Sequence, residues 1–533
     1  MNFAAQNRPL LIQNASAQKV DLLVIGGGVT GAGIALDAAM KGLSVVLIEK
    51  NDFASGTSSR STKLIHGGLR YLKQFEFKLV KDVGSERAVV YKNALHIVRP
   101  ERMLLPIIKN GSLGQNSSSL GLWVYDFLAG VKKNERREML SKDKTLTYEP
   151  LLNKEKLTGG GVYFEYRTDD ARLVIELLKT AHQEGAISLN YCEASKFVYD
   201  ANGKIKAVEV LDKVTNKTFE IVTEFVVNAA GPGVDLIRKK DNSLHGKRLQ
   251  LTKGIHLVFP KEKIPLNQAV YFDVADGRMM FAIPRGEVTY VGTTDTIYNQ
   301  DIDKPLVLKE DVDYTIKAIN DMFPTLNIKP SDIQSSWAGL RPLIYEDGKN
   351  PSELSRKDEV MVSDSGLISI AGGKLTGYRL MAEKIVTLVV AGLKKQINRS
   401  ISTKQKALSG SFASEADLQN FIKSTTAEAN LPIEKWATRY GTNTTQLIDK
   451  AASTASDALV AEIDYCIENE MALKLTDFAV RRSGMLYFEL PTLLEKLDFI
   501  AHHFQLRLGW NEEEKATQLA QVQQLIKEAT CFD

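Results

Sequence analysis

Gly26, Gly28 and Gly31 stand in G-x-G-x-x-G spacing directly after the apolar run Leu22–Ile25. Residues of this type at this spacing suit a pyrophosphate. Gly26 permits a tight turn, Gly28 removes a side chain so that backbone N–H groups can approach the phosphates, and Gly31 lets the following helix pack close on the strand. The unpaired N–H groups and positive dipole end of that helix then face the anion. Glu49 closes a second apolar run, where a carboxylate can accept hydrogen bonds from ribose hydroxyls. The chemistry implied is binding of an adenine dinucleotide; a glycine turn that only joins strand to helix is the alternative. The polar stretch Asn51–Lys63 follows, carrying Thr57, Ser58, Ser59 and Lys63. It leads into His66, Gly67, Gly68, Arg70 and Tyr71, a density of imidazole, guanidinium and phenol unusual for a plain surface loop.

The elements that must position these residues follow from periodicity. Leu22–Ile25 and Leu43–Ile48 are of strand length, and the small-residue segment Ala32–Lys41 between them reads as a helix stopped by Gly42. Two more glycine turns follow apolar runs, one at Ala229, Ala230 and Gly231, the other at Gly372, Gly373, Lys374, Leu375 and Thr376. Residues 72–100 read as helical. Thr168 or Asp169 is placed to cap a helix running to about Glu184. Short runs between Leu249 and Gly292 read as an antiparallel layer. Residues 1–20 read as a loose lead-in, and residues 411–533 as helical and free of catalytic motifs.

Bulk properties set outer bounds. A chain of 533 residues exceeds one small core, so two or three domains are expected. Cys192, Cys466 and Cys531 are far apart without a CxxC pair, which argues against a disulfide framework or zinc site and for a reducing compartment. No metal site is expected: His502 and His503 are adjacent and cannot share one helix face. No apolar run of about 18 residues predicts a membrane span, and Met1–Lys19 lacks the apolar core of a secretory signal. Residues 401–533 carry 13 Lys+Arg and 19 Asp+Glu, a balance of −6 against +3 for the whole chain, which leaves +9 on residues 1–400. A basic body suits an anionic substrate or an anionic membrane surface. No basic–aromatic interleaving of the kind nucleic acid requires is present, so no nucleic-acid partner is expected.

The first glycine unit followed by the segment from Ser58 to Leu72 resembles the FAD-dependent glycerol-3-phosphate dehydrogenases, a branch of the glycine oxidase and D-amino-acid oxidase type of flavoprotein. The resemblance covers almost the whole chain, including Thr252–His256, Gly292–Asp295, Trp337–Leu343, Ile370–Arg379, Arg439–Asn443 and Ala479–Met485. It implies an α/β, discontinuous Rossmann-like FAD-binding domain (residues 1–100, 165–247 and 335–400), an antiparallel-sheet substrate domain (101–164 and 248–334) and an all-α C-terminal domain (401–533). If the last boundary is right, removal of residues 411–533 should spare the flavin fold. Three separated glycine turns meeting at one cofactor also favour FAD over a nicotinamide dinucleotide.

The activity implied is oxidation of sn-glycerol 3-phosphate to dihydroxyacetone phosphate, with electrons passed to a membrane quinone. Glycerol-3-phosphate oxidase using oxygen, an amine or amino-acid oxidase, and a non-enzymatic flavoprotein subunit are the alternatives. Cofactor contacts are expected at Gly26, Gly28, Gly31, Glu49, Thr57, Ser58, Ser59, Lys63, His66, Gly67, Ala230, Gly231, Gly373, Lys374, Leu375 and Thr376. Arg70 and Arg341 form the phosphate clamp, because a guanidinium stays charged and donates in a planar fork; Tyr71 adds a hydroxyl. Lys374 stabilises the flavin or touches the phosphate. His66 is the first choice of base and His256 the second, with arginine or water as other candidates. The resemblance further implies peripheral attachment to the inner face of the cytoplasmic membrane, and a homodimer. The segment Leu120–Leu128 with Val131–Lys133, and the basic helix around Lys78, Lys81 and Arg87, are candidates for the membrane contact, core packing being the alternative for the first.

Overall fold

Val20–Ile25 (β1) is buried at every position, as expected of a strand covered on both faces. It sits in the middle of the first sheet of the computed structural model, which describes residues 2–66, 77–109, 111, 137–345, 358–393, 401–426, 431–454 and 457–532. The other strands of that sheet are Val45–Ile48 (β2), Ile187–Leu189 (β7), Cys192–Tyr199 (β8), Ile205–Asp212 (β9), Lys217–Asn228 (β10), Glu359–Val362 (β17) and Leu367–Ala371 (β18). The main path β17-β18-β10-β1-β2-β7 is parallel except for the edge strand β17, and β8 and β9 add an antiparallel branch on β10. Register aligns Ile25 with Ile48 on one side and Asn228 on the other, and Asn228 with Ser369. Four strand ends therefore open at one rim, and each of the three glycine turns leaves from one of them.

The helix Val29–Met40 starts earlier than Ala32 because Gly28 is already its cap, and it ends before Gly42, whose φ is +84°. The helix Asp170–Gln183 is capped by Asp169, whose side chain accepts from the Arg172 N–H. The lead-in is ordered: Arg8–Ala17 is a helix, and buried Arg8 pairs with Asp212 at 2.6 Å. Helix Phe77–Asn93 fulfils the helical reading of residues 72–100 where they are described. It does not expose Arg87. That side chain is buried, donates to the Phe164 carbonyl at 2.8 Å and pairs with Glu165 at 3.2 Å, so it is withdrawn from any membrane surface. Residues 120–128 and 131–133 lie outside the described residues. Among the described residues, no helix is long and apolar enough to cross a membrane.

The second sheet contains Leu64–Ile65 (β3), Arg99–Ile108 (β4), Glu138–Ser141 (β5), Leu157–Arg167 (β6), Leu249–Pro260 (β11), Ala269–Asp273 (β12), Met279–Arg285 (β13), Val288–Gly292 (β14) and Thr296–Ile297 (β15). Its main path runs β15-β11-β14-β13-β12-β4-β6-β3, with β5 paired to β6. Ser335–Ile344 (β16) pairs antiparallel with β11 over its whole length, from Ser335↔Val258 to Ile344↔Leu249. Residues 335–344, expected with the flavin segments, are thus built into the antiparallel layer, as are Leu64, Ile65 and the end of β6. Leu249–Leu251 and Ile255–Val258 are one continuous strand.

The C-terminal region is helical, as expected, and it packs into the rest of the chain. Phe478, Leu493, Ile500 and Phe504 share one core with Met103, Tyr163, Tyr290 and Trp337 of the second sheet. Buried Asp52, just past β2, takes Arg482 at 2.7 and 3.0 Å and Arg481 at 2.5 Å. An Arg172–Glu470 ion pair joins the helix after Asp169 to the same region. Removing residues 411–533 would leave Asp52 and Arg172 buried without these partners. These contacts count against the expectation that the flavin fold survives without them.

Candidate active site

At the rim where the four strands end lies a cavity of about 920 Å³, near the top of the roughly 300–1,000 Å³ range of ligand pockets. All three glycine turns line it: Gly26 and Gly28 from the first, Ala230 and Gly231 from the second, Gly373, Lys374 and Leu375 from the third. Gly26 has φ +119°, and a Cβ there would lie 2.5 Å from the Ala229 carbonyl oxygen. Gly31 does not face the cavity; a Cβ on it would meet the Gly26 carbonyl oxygen at 1.9 Å, so its role is to let helix and turn close together.

Glu49, Thr57 and Ser58 also line the cavity. Glu49 accepts from the Gly27 N–H at 2.7 Å and the Asn51 N–H at 2.9 Å. Burial raises its pKa, against these two hydrogen bonds. Ser58 Oγ accepts from the Val29 N–H at 3.0 Å, covering one of the free donors at the helix start. Thr57 Oγ1 donates to the Leu340 carbonyl at 2.7 Å and ties this loop to β16.

Other expected contacts do other work. Lys63 is buried; its ammonium donates to Asp170 at 2.6 Å and to the Ser59 carbonyl at 2.9 Å, and stands 5.4 Å over the Trp337 ring. With its charge consumed by Asp170, it is a structural cation and not a cavity residue. Buried Ser59 offers the carbonyl that holds Lys63. Thr376 is buried and donates through Oγ1 to the His66 carbonyl at 3.2 Å, so it links the third glycine turn to the His66 segment. The His66 ring is half-buried and edge-on to Phe281, centroids 6.2 Å apart. Gly67, Gly68, Arg70 and Tyr71 lie outside the described residues.

Arg341 projects from β16 onto the neighbouring strand β11. Its guanidinium donates to Thr293 Oγ1 at 2.8 Å and the Thr294 carbonyl at 3.1 Å, and lies 3.3 Å from Asp295. The pieces around Gly254 and Thr293, separate in sequence, therefore meet around it. His256 belongs to this face but is enclosed. It is buried, stacked on Trp337 at 4.8 Å, and bonded through Nε2 to Thr62 at 3.1 Å. Burial first, then the charges of Arg341 and Lys63, hold its pKa well below 6.5. A histidine so placed is a weak, enclosed base, and the second choice of base is withdrawn.

Sequence reasoning misses the cavity wall supplied by the C-terminal region. Arg481, Lys474, Gln521, Gln524 and Glu528 all line the cavity. The Arg481-Arg482 pair is visible as a motif, but nothing local to it points to Asp52, 429 residues away.

The cavity fits a long dinucleotide. It runs past a Cβ-free turn, a helix start, a carboxylate at the end of β2 and two more glycine turns, the donor set such a cofactor needs. The fold and site define a flavin-dependent oxidoreductase. The chain belongs to the FAD dependent oxidoreductase family, whose sequence profile matches residues 21–379. A second profile, the C-terminal domain of alpha-glycerophosphate oxidase, matches residues 401–515. Within that family the chain is 49% identical to the aerobic glycerol-3-phosphate dehydrogenase of Bacillus subtilis, over 99% of this chain and 98% of that protein. It is 47% identical to the protein of the same name from Staphylococcus haemolyticus, with the same coverage. The crystal structure of the Bacillus halodurans glycerol-3-phosphate dehydrogenase complexed with FAD superposes with a TM-score of 0.85 at 42% identity, covering 100% of this chain and 99% of that one.

Proposed function

We propose that this protein oxidises sn-glycerol 3-phosphate to dihydroxyacetone phosphate with FAD, passing the electrons to a membrane quinone. The observation that carries the substrate is identity near one half, sustained end to end, with aerobic glycerol-3-phosphate dehydrogenases. Gly26, Gly28, Glu49, Ser58, Gly231 and Lys374 hold the cofactor. Bound FAD supplies the acceptor for the hydride that leaves C2.

The remaining chemistry is the chain's own. Arg341, with Arg70 and Tyr71, donates to the phosphate oxygens and fixes the substrate by its unreactive end, which is how remote binding energy orients a reacting carbon. The His66 imidazole takes the proton of the C2 hydroxyl as the carbonyl forms, so proton and hydride leave together as two hydrogens. Lys374 supplies fixed positive charge on the cavity wall. The basic residues 1–400 favour docking on the inner, anionic face of the cytoplasmic membrane, and the assembly in this reading is a homodimer.

Anaerobic addition of glycerol 3-phosphate to the flavin-loaded protein should bleach the flavin absorbance. Bleaching by glycine or a D-amino acid instead would overturn the substrate. Mixing the reduced protein with a quinone, and separately with oxygen, identifies the acceptor. The alpha-glycerophosphate oxidase profile on residues 401–515 favours oxygen as the second reading; fast reoxidation by oxygen alone would establish it.

A further inference from the structure

The turn Asp477–Arg482 is π-helical and presents two consecutive arginines to one carboxylate. Arg482 holds both oxygens of Asp52 and is fully enclosed. Arg481 uses Nε on Asp52 at 2.5 Å and Nη2 on Asp477 Oδ1 at 2.9 Å. Its Nη1 has no hydrogen-bond partner among the described residues. Arg481 is 8% exposed and lines the cavity, so its open edge faces that space. A guanidinium edge left open on a ligand cavity is a ready donor for an acceptor on the ligand.

We propose that Arg481 is a cofactor-binding residue lent by the C-terminal region, its Nη1 donating to the adenosine half of FAD. The place on the wall selects that half. Asp52 lies three residues past Glu49, the ribose carboxylate of the glycine unit, and Tyr191 and Cys192 line the same side. The local charge selects a neutral acceptor. Two arginines already face two carboxylates, Asp52 and Asp477, so a ribose hydroxyl or adenine nitrogen suits Nη1 better than a phosphate. Tyr191 OH donates to Asp477 Oδ1 at 2.5 Å and fixes that carboxylate. Residue 481 lies beyond the matched oxidoreductase segment 21–379, so the helical region completes a site the dinucleotide fold leaves open. The inference rests on the FAD cofactor and not on the substrate proposed above.

The test is equilibrium dialysis of the full-length holoprotein against FAD, alone and with ADP, the adenosine half of FAD, as competitor. Arg481→Lys keeps a cation for Asp52 but loses the fork. It should raise the Kd of FAD and of ADP each about tenfold. Arg482→Lys perturbs the same carboxylate from outside the cavity and should change neither by more than about twofold. An unchanged FAD Kd in Arg481→Lys, a loss for FAD but not ADP, or an equal loss in Arg482→Lys would overturn the proposal. Wild-type protein offers a check that needs no variant. A dicarbonyl reagent should modify Arg481 in flavin-stripped protein, and ADP should protect it, read by peptide mass; modification unaffected by ADP would refute the contact.

Discussion

The guanidinium of Arg341 lies where a side chain on Gly254 would stand: a Cβ at 254 would meet Nη2 at 2.3 Å and Nη1 at 2.5 Å. The two residues sit on adjacent strands, with Gly254 two residues along β11 from Thr252, the partner of Arg341. Gly254→Ala must therefore move Arg341 off Thr293 and Asp295. If Arg341 binds the substrate phosphate, Gly254→Ala and Arg341→Ala should both raise KM for glycerol 3-phosphate, roughly 10- to 100-fold for Arg341→Ala. Flavin content should be unchanged. The double variant should be no worse than Arg341→Ala alone, because both remove the same contact. Additive losses, or an unchanged KM, would take Arg341 out of the clamp.

Gly26 offers the sharpest test of the cofactor cradle. Its φ of +119° and the 2.5 Å approach to Ala229 leave no room for a methyl group. Gly26→Ala should yield protein largely free of flavin. Gly56, on the same cavity wall, has φ −87°, and a Cβ there would meet nothing within 4 Å, so Gly56→Ala should keep its flavin. Flavin absorbance per protein in the two purified variants decides the matter; equal content would mean that the turn is not the cradle.

These tests fall on residues whose roles are legible locally. The segment from Leu22 to Glu49 declares itself because strand, turn and helix are each specified by neighbours in sequence, and their register then fixes where the other glycine turns open. Lys63 and His256 mislead for the opposite reason. Both residue types suit chemistry, but Lys63 is neutralised by Asp170 and His256 is stacked on Trp337. Those partners are 107 and 81 positions distant, and burial has no local signature in sequence. The GLRPL segment reads as a continuation of the flavin fold, although the strand that holds it pairs with β11.

Asp52 carries the dependence of the flavin fold on the C-terminal region. Arg482 and Arg481 hold its pKa well below the usual carboxylate range, against the cost of burial. Asp52→Asn would leave two enclosed arginines short of a counter-charge, which typically costs about 3–5 kcal/mol. Thermal unfolding should show a large loss of midpoint, and a chain ending at residue 410 should fail to retain flavin. A truncated chain with normal flavin content would show that the two regions are independent after all.

Buried histidines make the protein sensitive to mild acid. His96 has neither ring nitrogen hydrogen-bonded, and burial, then the charges of Lys179 and Arg172, push its pKa down to about 3. The folded state thus refuses a proton that the unfolded chain accepts below about pH 6.5. A depressed folded pKa gives stability that is present above about 6.5 and is lost as pH falls from there towards about 3. By about pH 5.5 the loss from His96 alone is about 1.4 kcal/mol. His256, depressed in the same direction, adds to it. Denaturant unfolding of wild type and His96→Leu at about pH 7 and about pH 5.5 isolates the contribution. The variant should lose about 1.3 kcal/mol less than wild type between the two conditions, whatever its stability at neutral pH, because only the difference carries the proton. An identical pH dependence in both proteins would mean that His96 is protonated, or hydrated, in the folded state.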